Sequence, residues 1–531
     1  MFWITTLFAV TNVMAEEVRV EAGESIQDAL NEAAPGDIII IAAGTYEEDL
    51  STETHGTAEA PITVTADEDA EVVITASGEV LQIDHEYWIF DRITFDGKYG
   101  NADTIDINDG AHHARLQSIE VRRSARDCID MGAPEGVHIS KSLIHHCLYF
   151  DPDDEMRLDA HGITGGAVQD LTIENTDIHT FSGDAIQFDP GRASPGWNNI
   201  HIEGCRFWLE PLIEHTAGFL PGQIPGENAV ETKTWNDGDT ANLTIVDTEV
   251  WGFVQPPPPL DGEPDLRFEI SNQAAFLFKE NVNVSLQRVK VSDSKIAFRL
   301  RGPTSARPNG VTVHMENILV HDVDVGIRYE DELASLIMWH ATFGAGIETM
   351  FDEVDSESTI PDVHNSLFLL DSLPSEVNPD QHNLIATMDD FVDASSGNHH
   401  LLETSSAIDA GAAISGVSTD IDGRDRIVGP SPDVGAYEYG GIIVPDTGGP
   451  SDTGGADDGA TEPPGSIEDS GVTIDDEDRV GGVGAAEQVG EKGGCGCGVT
   501  PSKGNMNFWV LLGFVFWYRR RSKMQDEQFV T

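Results

Sequence analysis

One phrase recurs through the middle of the chain: a small residue, an apolar residue, then a residue of changing chemistry. It reads Cys128-Ile129-Asp130, Gly162-Ile163-Thr164, Ala185-Ile186-Gln187 and Ala229-Val230-Glu231. It continues as Ala275-Phe276-Leu277, Ala297-Phe298-Arg299 and Gly326-Ile327-Arg328. Between these phrases run segments of strict apolar alternation: "VHISKSLIHH" from Val137, "LTIENTDIHTF" from Leu171, "IHIEGCRFW" from Ile200 and "LTIVDTEVWGF" from Leu243. "VSLQRVKVSD" from Val284 and "VHMENILVHDV" from Val313 complete the series, most broken by a polar turn. Period-two alternation rich in β-branched residues makes strands and excludes a helical repeat. The shortest intervals, 23 residues from Ile163 to Ile186 and 22 from Phe276 to Phe298, are the length of one solenoid coil. Longer intervals are coils with loops inserted, and no leucine-rich repeat pattern is present. The expected fold is all-β, a right-handed parallel β-helix over residues 16–440.

The ends agree with a solenoid. Ser25 to Ala34 ("SIQDALNEAA") has an N-cap serine and apolar residues at helical spacing, as a helix covering the first coil requires. "GESIQDALNEAAPGDIIIIAAGTYEEDL", "GTAEAPITVTADEDAEVVIT" and "YWIFDRITFDG" resemble the first coils of the pectate lyase superfamily, and of its chondroitinase B and alginate lyase-type members in polysaccharide lyase family 6. "SSAIDAGAAISG" and "TDIDGRDRIVGPSPDVGAYEY" resemble the closing segment of secreted bacterial β-helix proteins. The resemblance implies the fold and is weak for the reaction, because the fold hosts lyases, hydrolases, epimerases and non-enzymes.

The chain has 30 Lys plus Arg against 93 Asp plus Glu, a formal charge of −63. Such a field repels nucleic acid and anionic lipid, so neither is expected as a partner. Met1 to Ala15 reads as a secretory signal, with an apolar run and a small-residue cleavage site. Residues 441–494, rich in Gly, Asp and Thr, cannot bury enough apolar surface to fold and read as a disordered linker. Residues 495–531 carry Cys495-Gly-Cys497, the apolar run Met506 to Tyr518 and Arg519-Arg520-Arg521. That order resembles the MYXO-CTERM sorting tail, which implies processing by sorting machinery and display at the cell surface. A plain C-terminal anchor is the other reading of the tail. The expected protein is an exported monomer that touches membrane only through this end. Cys128 in the small-residue column and Cys205 at a turn matching Ser142 and Thr176 are expected to be buried and unpaired.

Stacked coils bring equivalent residues about 4.8 Å apart, so columns can be read. Two positions before the apolar residue stand Asp127, His161, Asp184 and Asn228; one after it, Asp130, Thr164, Gln187, Glu231, Leu277, Arg299 and Arg328. Three after it come Asp189, Lys233, Lys279, Arg301 and Glu330. All are expected to face outward, with acidic residues meeting basic ones near Glu231, between the long insertions that follow Trp208 and Phe253. β-Elimination on a uronate needs its carboxylate neutralised and a base of lowered pKa. Asp184, Asn228 and Glu231 are the expected ligands of Ca²⁺ as cofactor. Lys233 is the expected base, with Lys279 and Arg299 as further catalytic groups, and Arg301, His161, Gln187 and Asp189 as substrate-binding residues. Family 6 lyases pair an Asn/Glu calcium set with a Lys and an Arg, and Asn228, Glu231, Lys233 and Arg299 match in kind. The expected partner is an acidic polysaccharide. Two alternatives stay open. One is a glycoside hydrolase using Asp184 with Asp189, or Asp189 with Glu231. The other is a carbohydrate-binding protein using Trp197, Trp208, Trp235 and Trp251.

Overall fold

The computed structural model describes residues 15–189, 196–234, 240–271, 273–305, 307–354 and 359–440. Three long parallel sheets account for nearly all of the described strands, two of thirteen strands and one of eleven. Each coil contributes one strand to each sheet and passes to the next coil in parallel register, the topology of a parallel β-helix. One such coil runs Thr172–Glu174, Asp177–Phe181 and Ile186–Phe188. Inward residues are wholly buried from Val20 at the first coil to Phe368 near the last, and form one continuous core. The helix Ile26–Glu32 closes the open end, with Ser25 accepting the Asp28 N–H as N-cap and Ile26 and Leu30 buried.

The corner between the first and second strand of each coil is a single left-handed residue. Arg92, Ser118, Lys141, Asn175, Gly204, Asp247, Arg288 and Asn317 occupy it in turn, with φ between 48° and 64°. Most carry a Cβ, so the corner costs backbone energy that the stacked ladder offsets. At four of these corners the following inward residue is small and polar, with a side chain that returns to the carbonyl two residues back; at the others it is Ile or Val. Ser142 bonds Ser140 at 2.8 Å, Thr176 bonds Glu174 at 2.9 Å, and the Cys205 thiol bonds Glu203 at 3.3 Å. Cys205 is buried and free, as its column position suggests.

Cys128 departs from expectation, for it forms a disulfide with Cys147, their Cα atoms 5.6 Å apart. Columns compare equivalent positions, whereas this pair joins different positions on successive coils: Cys128 stands just before the strand Ile129–Met131 of one coil, and Cys147, in register with Ser124, belongs to the next. Cys147 ends the strand Leu143–Cys147 and turns inward where Cys128 faces it. At the far end Arg426 is buried and donates to the carbonyls of Gly435 and Ala436, at 3.1 and 2.8 Å, and to Asn317. It thereby ties the closing segment to the side of the coils. The expected signal sequence, linker and sorting tail lie outside the described residues except for Ala15. Among the described residues no helix is long and apolar enough to cross a membrane.

Replacing Cys128 and Cys147 together with alanine should lower stability by about 2–4 kcal/mol. Denaturant unfolding under non-reducing conditions checks this, and reductant added to the unsubstituted protein should produce a loss of the same size.

Candidate functional site

The eleven-stranded sheet carries the columns in the register read from the sequence. Ile129 pairs with Ile163, Ile163 with Ile186, Ile186 with Val230, Val230 with Phe276, Phe276 with Phe298 and Phe298 with Ile327. The orientation of one column differs from expectation. A residue two positions before an inward residue has the same parity as that residue, and Asp184 and Asn228 are both 0% exposed.

Their role in the structure is to hold adjacent coils together. The Asp103 carboxylate accepts the Asp127 N–H at 2.8 Å, and Asp127 accepts that of His161 at 2.9 Å. His161 Nδ1 accepts the Asp184 N–H at 2.7 Å, which places the proton of the neutral ring on Nε2. Asp184 Oδ1 accepts the Asn228 N–H at 3.1 Å, and the Asn228 side-chain oxygen accepts the Ala274 N–H at 3.0 Å. Five side chains thus cap five successive backbone donors that strand pairing leaves over. Asp184 also accepts from the Asn228 amide at 2.8 Å and the Gln187 amide at 2.7 Å.

The outward columns hold the charged groups that solvent reaches. Glu231 is the first node: Lys279 Nζ lies 2.5 Å and Lys233 Nζ 3.3 Å from its carboxylate, while Gln187 donates to it at 2.9 Å. Lys233 also donates to Gln187 Oε1 at 3.1 Å and stands 3.7 Å from Asp189. Glu330 is the second node, three arginines converging on it: Arg299 at 2.7 Å, Arg328 at 3.2 Å and Arg301 at 3.5 Å. Glu280 and Asp352 flank the set, against Arg301 and Arg328. Lys233 and Arg301 keep 31% and 33% of their side chains exposed above the buried Glu231 and Glu280, while Asp189 and Asp352 are at least as open to solvent as the cations they pair with.

Burial alone would lower the pKa of Lys233, but Glu231, Asp189 and Asp184 overcome it and hold the ammonium above its ordinary value. The lowered pKa expected of a lysine base is therefore absent at Lys233. Burial would raise Glu231, yet the two lysines hold it down at about 2. Asp184 goes the other way, pushed up to about 7 by burial and by the charge of Glu231.

The residues expected to hold calcium do not fit that ion. The Gln187 amide nitrogen stands between the carboxylates of Asp184 and Glu231, the Asn228 oxygen is committed to a backbone N–H, and two ammoniums occupy the Glu231 side. Calcium takes six to eight oxygens, and here it would meet like charge. Among the described residues, the carboxylates of Asp103, Asp106 and Asp130 converge within 4.8 Å of one another, on coils nearer the N-terminal end.

Arg328 and Glu330 stood in the sequence columns without a role, and Glu280 adjoins Lys279; Asp352 lies one coil further, in register with Arg328. Trp197 is buried, its indole N–H bonded to the Lys233 carbonyl at 2.7 Å. Trp208 and Trp251 lie on another sheet, and Trp235 is outside the described residues.

The family model described as chondroitinase B matches residues 20–115, the first coils, ahead of every residue of the cationic strip. No curated protein matches the chain. Among solved structures, an alginate lyase from Paenibacillus sp. str. FPU-7 is 14% identical with TM-score 0.40, over 66% of this chain and 97% of that one. A mannuronic acid-specific family 6 lyase from human gut microbiota is 13% identical with TM-score 0.40, over 71% and 92%. A polygalacturonase from Erwinia carotovora ssp. carotovora is 13% identical with TM-score 0.36, over 67% and 85%. None of these likenesses assigns a role to a residue here.

An acid whose folded pKa lies above its unfolded value favours the fold most when protonated. The contribution of Asp184 is therefore full below about pH 4 and lost as pH rises through about 7. Thermal unfolding midpoints should fall between about pH 4 and about pH 7, and Asp184→Asn should flatten that fall. Identical profiles in the two proteins would contradict the assignment.

Proposed function

We propose that the protein is an exported, surface-displayed polysaccharide lyase that binds a uronate-containing polysaccharide on the outer face of the eleven-stranded sheet and cleaves it by β-elimination. The observation that carries this reading is the strip Lys233, Lys279, Arg299, Arg301 and Arg328, five partly exposed cations on successive coils of a chain with net charge −63. Net charge opposes a polyanion, so a row of cations on neighbouring coils is where one meets opposite charge. The Cys128–Cys147 disulfide supports an oxidising destination, in keeping with the signal-like Met1 to Ala15. The linker and sorting tail complete the reading of display at the cell surface.

Arg299 and Arg301 carry forked donors that match a carboxylate and now share Glu330; a uronate that takes the place of Glu330 on them has the charge neutralised that opposes loss of its neighbouring proton. Lys279, paired with Glu231 at 2.5 Å, accepts that proton in the form that has first lost its own to solvent. The electron pair left behind forms the new carbon–carbon double bond as the bond to the glycosidic oxygen breaks. Lys233, held charged by its carboxylate neighbours, gives a proton to the departing oxygen. Glu231 and Gln187 position the two lysines. No step is routed through calcium, because its expected ligands are already engaged.

Incubation with uronate polysaccharides should produce the ultraviolet absorbance of unsaturated products, undiminished by a calcium chelator. Lys279→Ala and Arg299→Ala should each lower the rate by about 100-fold or more, in the range of general acid–base and charge-stabilising groups. Reducing ends without absorbance would indicate hydrolysis, retention with neither signal would indicate binding alone, and loss of absorbance on chelation would return a metal to the mechanism.

A further inference from the structure

A second outward column, on the thirteen-stranded sheet that contains the strand Asp177–Phe181, is aromatic. His145, His179, Trp208 and Trp251 stand in register on four successive coils. Their rings stack face to face, with centroid separations of 5.1, 4.4 and 5.1 Å and interplanar angles of 10°, 16° and 3°. Such a stack covers the faces of its inner members, so Trp208 is no platform for a ligand. The next position in register is Ser292, and the stack stops there. The face of Trp251 away from Trp208 therefore opens on a gap one coil deep, about 4.8 Å before the following strand.

That gap is part of a cleft of about 350 Å³ lined by Trp251, Ser292, Lys290, Asn398, His400 and Tyr437 among others. The closing segment forms its far wall, so two parts of the chain distant in sequence build it together. Its charges are matched internally. Lys290 pairs with Glu249 at 3.0 Å, and His400 bonds Asp422 at 2.7 Å and Asn398 at 2.7 Å. An aromatic face beside paired donors and acceptors, with no surplus charge, suits a ligand having an apolar ring face and a rim of hydroxyl groups.

We propose that this cleft is a second carbohydrate site, which takes a neutral pyranose unit against the open face of Trp251. It stands on a different sheet from the cationic strip and does not depend on the lyase reading. Its preference is opposite in kind, for a neutral sugar rather than a uronate. A chain bearing both sites would hold a mixed or composite polysaccharide at one face while acting on its acidic portion at another.

The test titrates the full-length protein with cellohexaose, mannohexaose, xylohexaose and an oligouronate of equal length, following tryptophan fluorescence. At least one neutral probe should quench saturably. Trp251→Ala should raise its dissociation constant at least tenfold, and Ser292→Phe, which fills the gap and leaves Trp251 in place, should do the same. Thermal midpoints of both variants verify that the fold persists. Absence of saturable quenching by every neutral probe would overturn the proposal, as would unaltered affinity in the two variants or competition by the oligouronate for the same site. The response of the strip to oligouronate is measured in the same variants and should stay at its unsubstituted level, so failure of either site is distinguishable from failure of the other.

Discussion

Each coil of this protein takes its place from the coil before it, through parallel strand pairing that repeats about every 4.8 Å. That repeat holds one residue of each coil directly above its counterpart in the next. Whatever chemistry a column carries is therefore multiplied along the axis, and any mismatch would be repeated as well. The corners show how strictly the register is kept, since residues as unlike as Arg92, Asn175 and Asp247 all adopt the left-handed conformation there.

The same repeat sorts polar residues into two layers on the eleven-stranded sheet. Asp103, Asp127, His161, Asp184 and Asn228 sit beneath, each satisfying a backbone donor of the following coil. Glu231 and Glu330 come next, carboxylates taken largely out of water and stabilised only because lysines and arginines surround them. The fold's own need for charge pairing thus gathers five cations, each beside a carboxylate, on one face of a strongly negative molecule.

Much of this was legible in the sequence because the recurring triplets expose the register directly. Val230, Phe276 and Phe298 pair as their spacing implies, and the cations of the strip fall on neighbouring coils for the same reason. Parity was the harder matter. Asp184 and Asn228 are polar, and polar character suggested an outward position, whereas the ladder of backbone donors gives them an inward use that no single coil reveals. Cys128 and Cys147 meet from different positions on successive coils, a contact invisible to comparison of equivalent positions. The Lys233 ammonium stays charged because three carboxylates approach it, two of them from other coils or from the layer below. Trp208 and Trp251 looked like separate platforms, and only their stacking shows that one of them keeps a free face.

The central claim is that acidic polysaccharide is recognised by the strip and not by charge in general. Calorimetric titration of an oligouronate into a series of single alanine variants tests it most directly. Substitution at Lys279, Arg299, Arg301 and Arg328 should each weaken binding about tenfold, an order expected for a charge-assisted contact to a carboxylate. Arg206→Ala and Arg288→Ala, which remove arginines paired with Asp177 and Asp247 away from the strip, should leave the affinity unchanged. Equal weakening in both groups, or none in the first, would contradict the account.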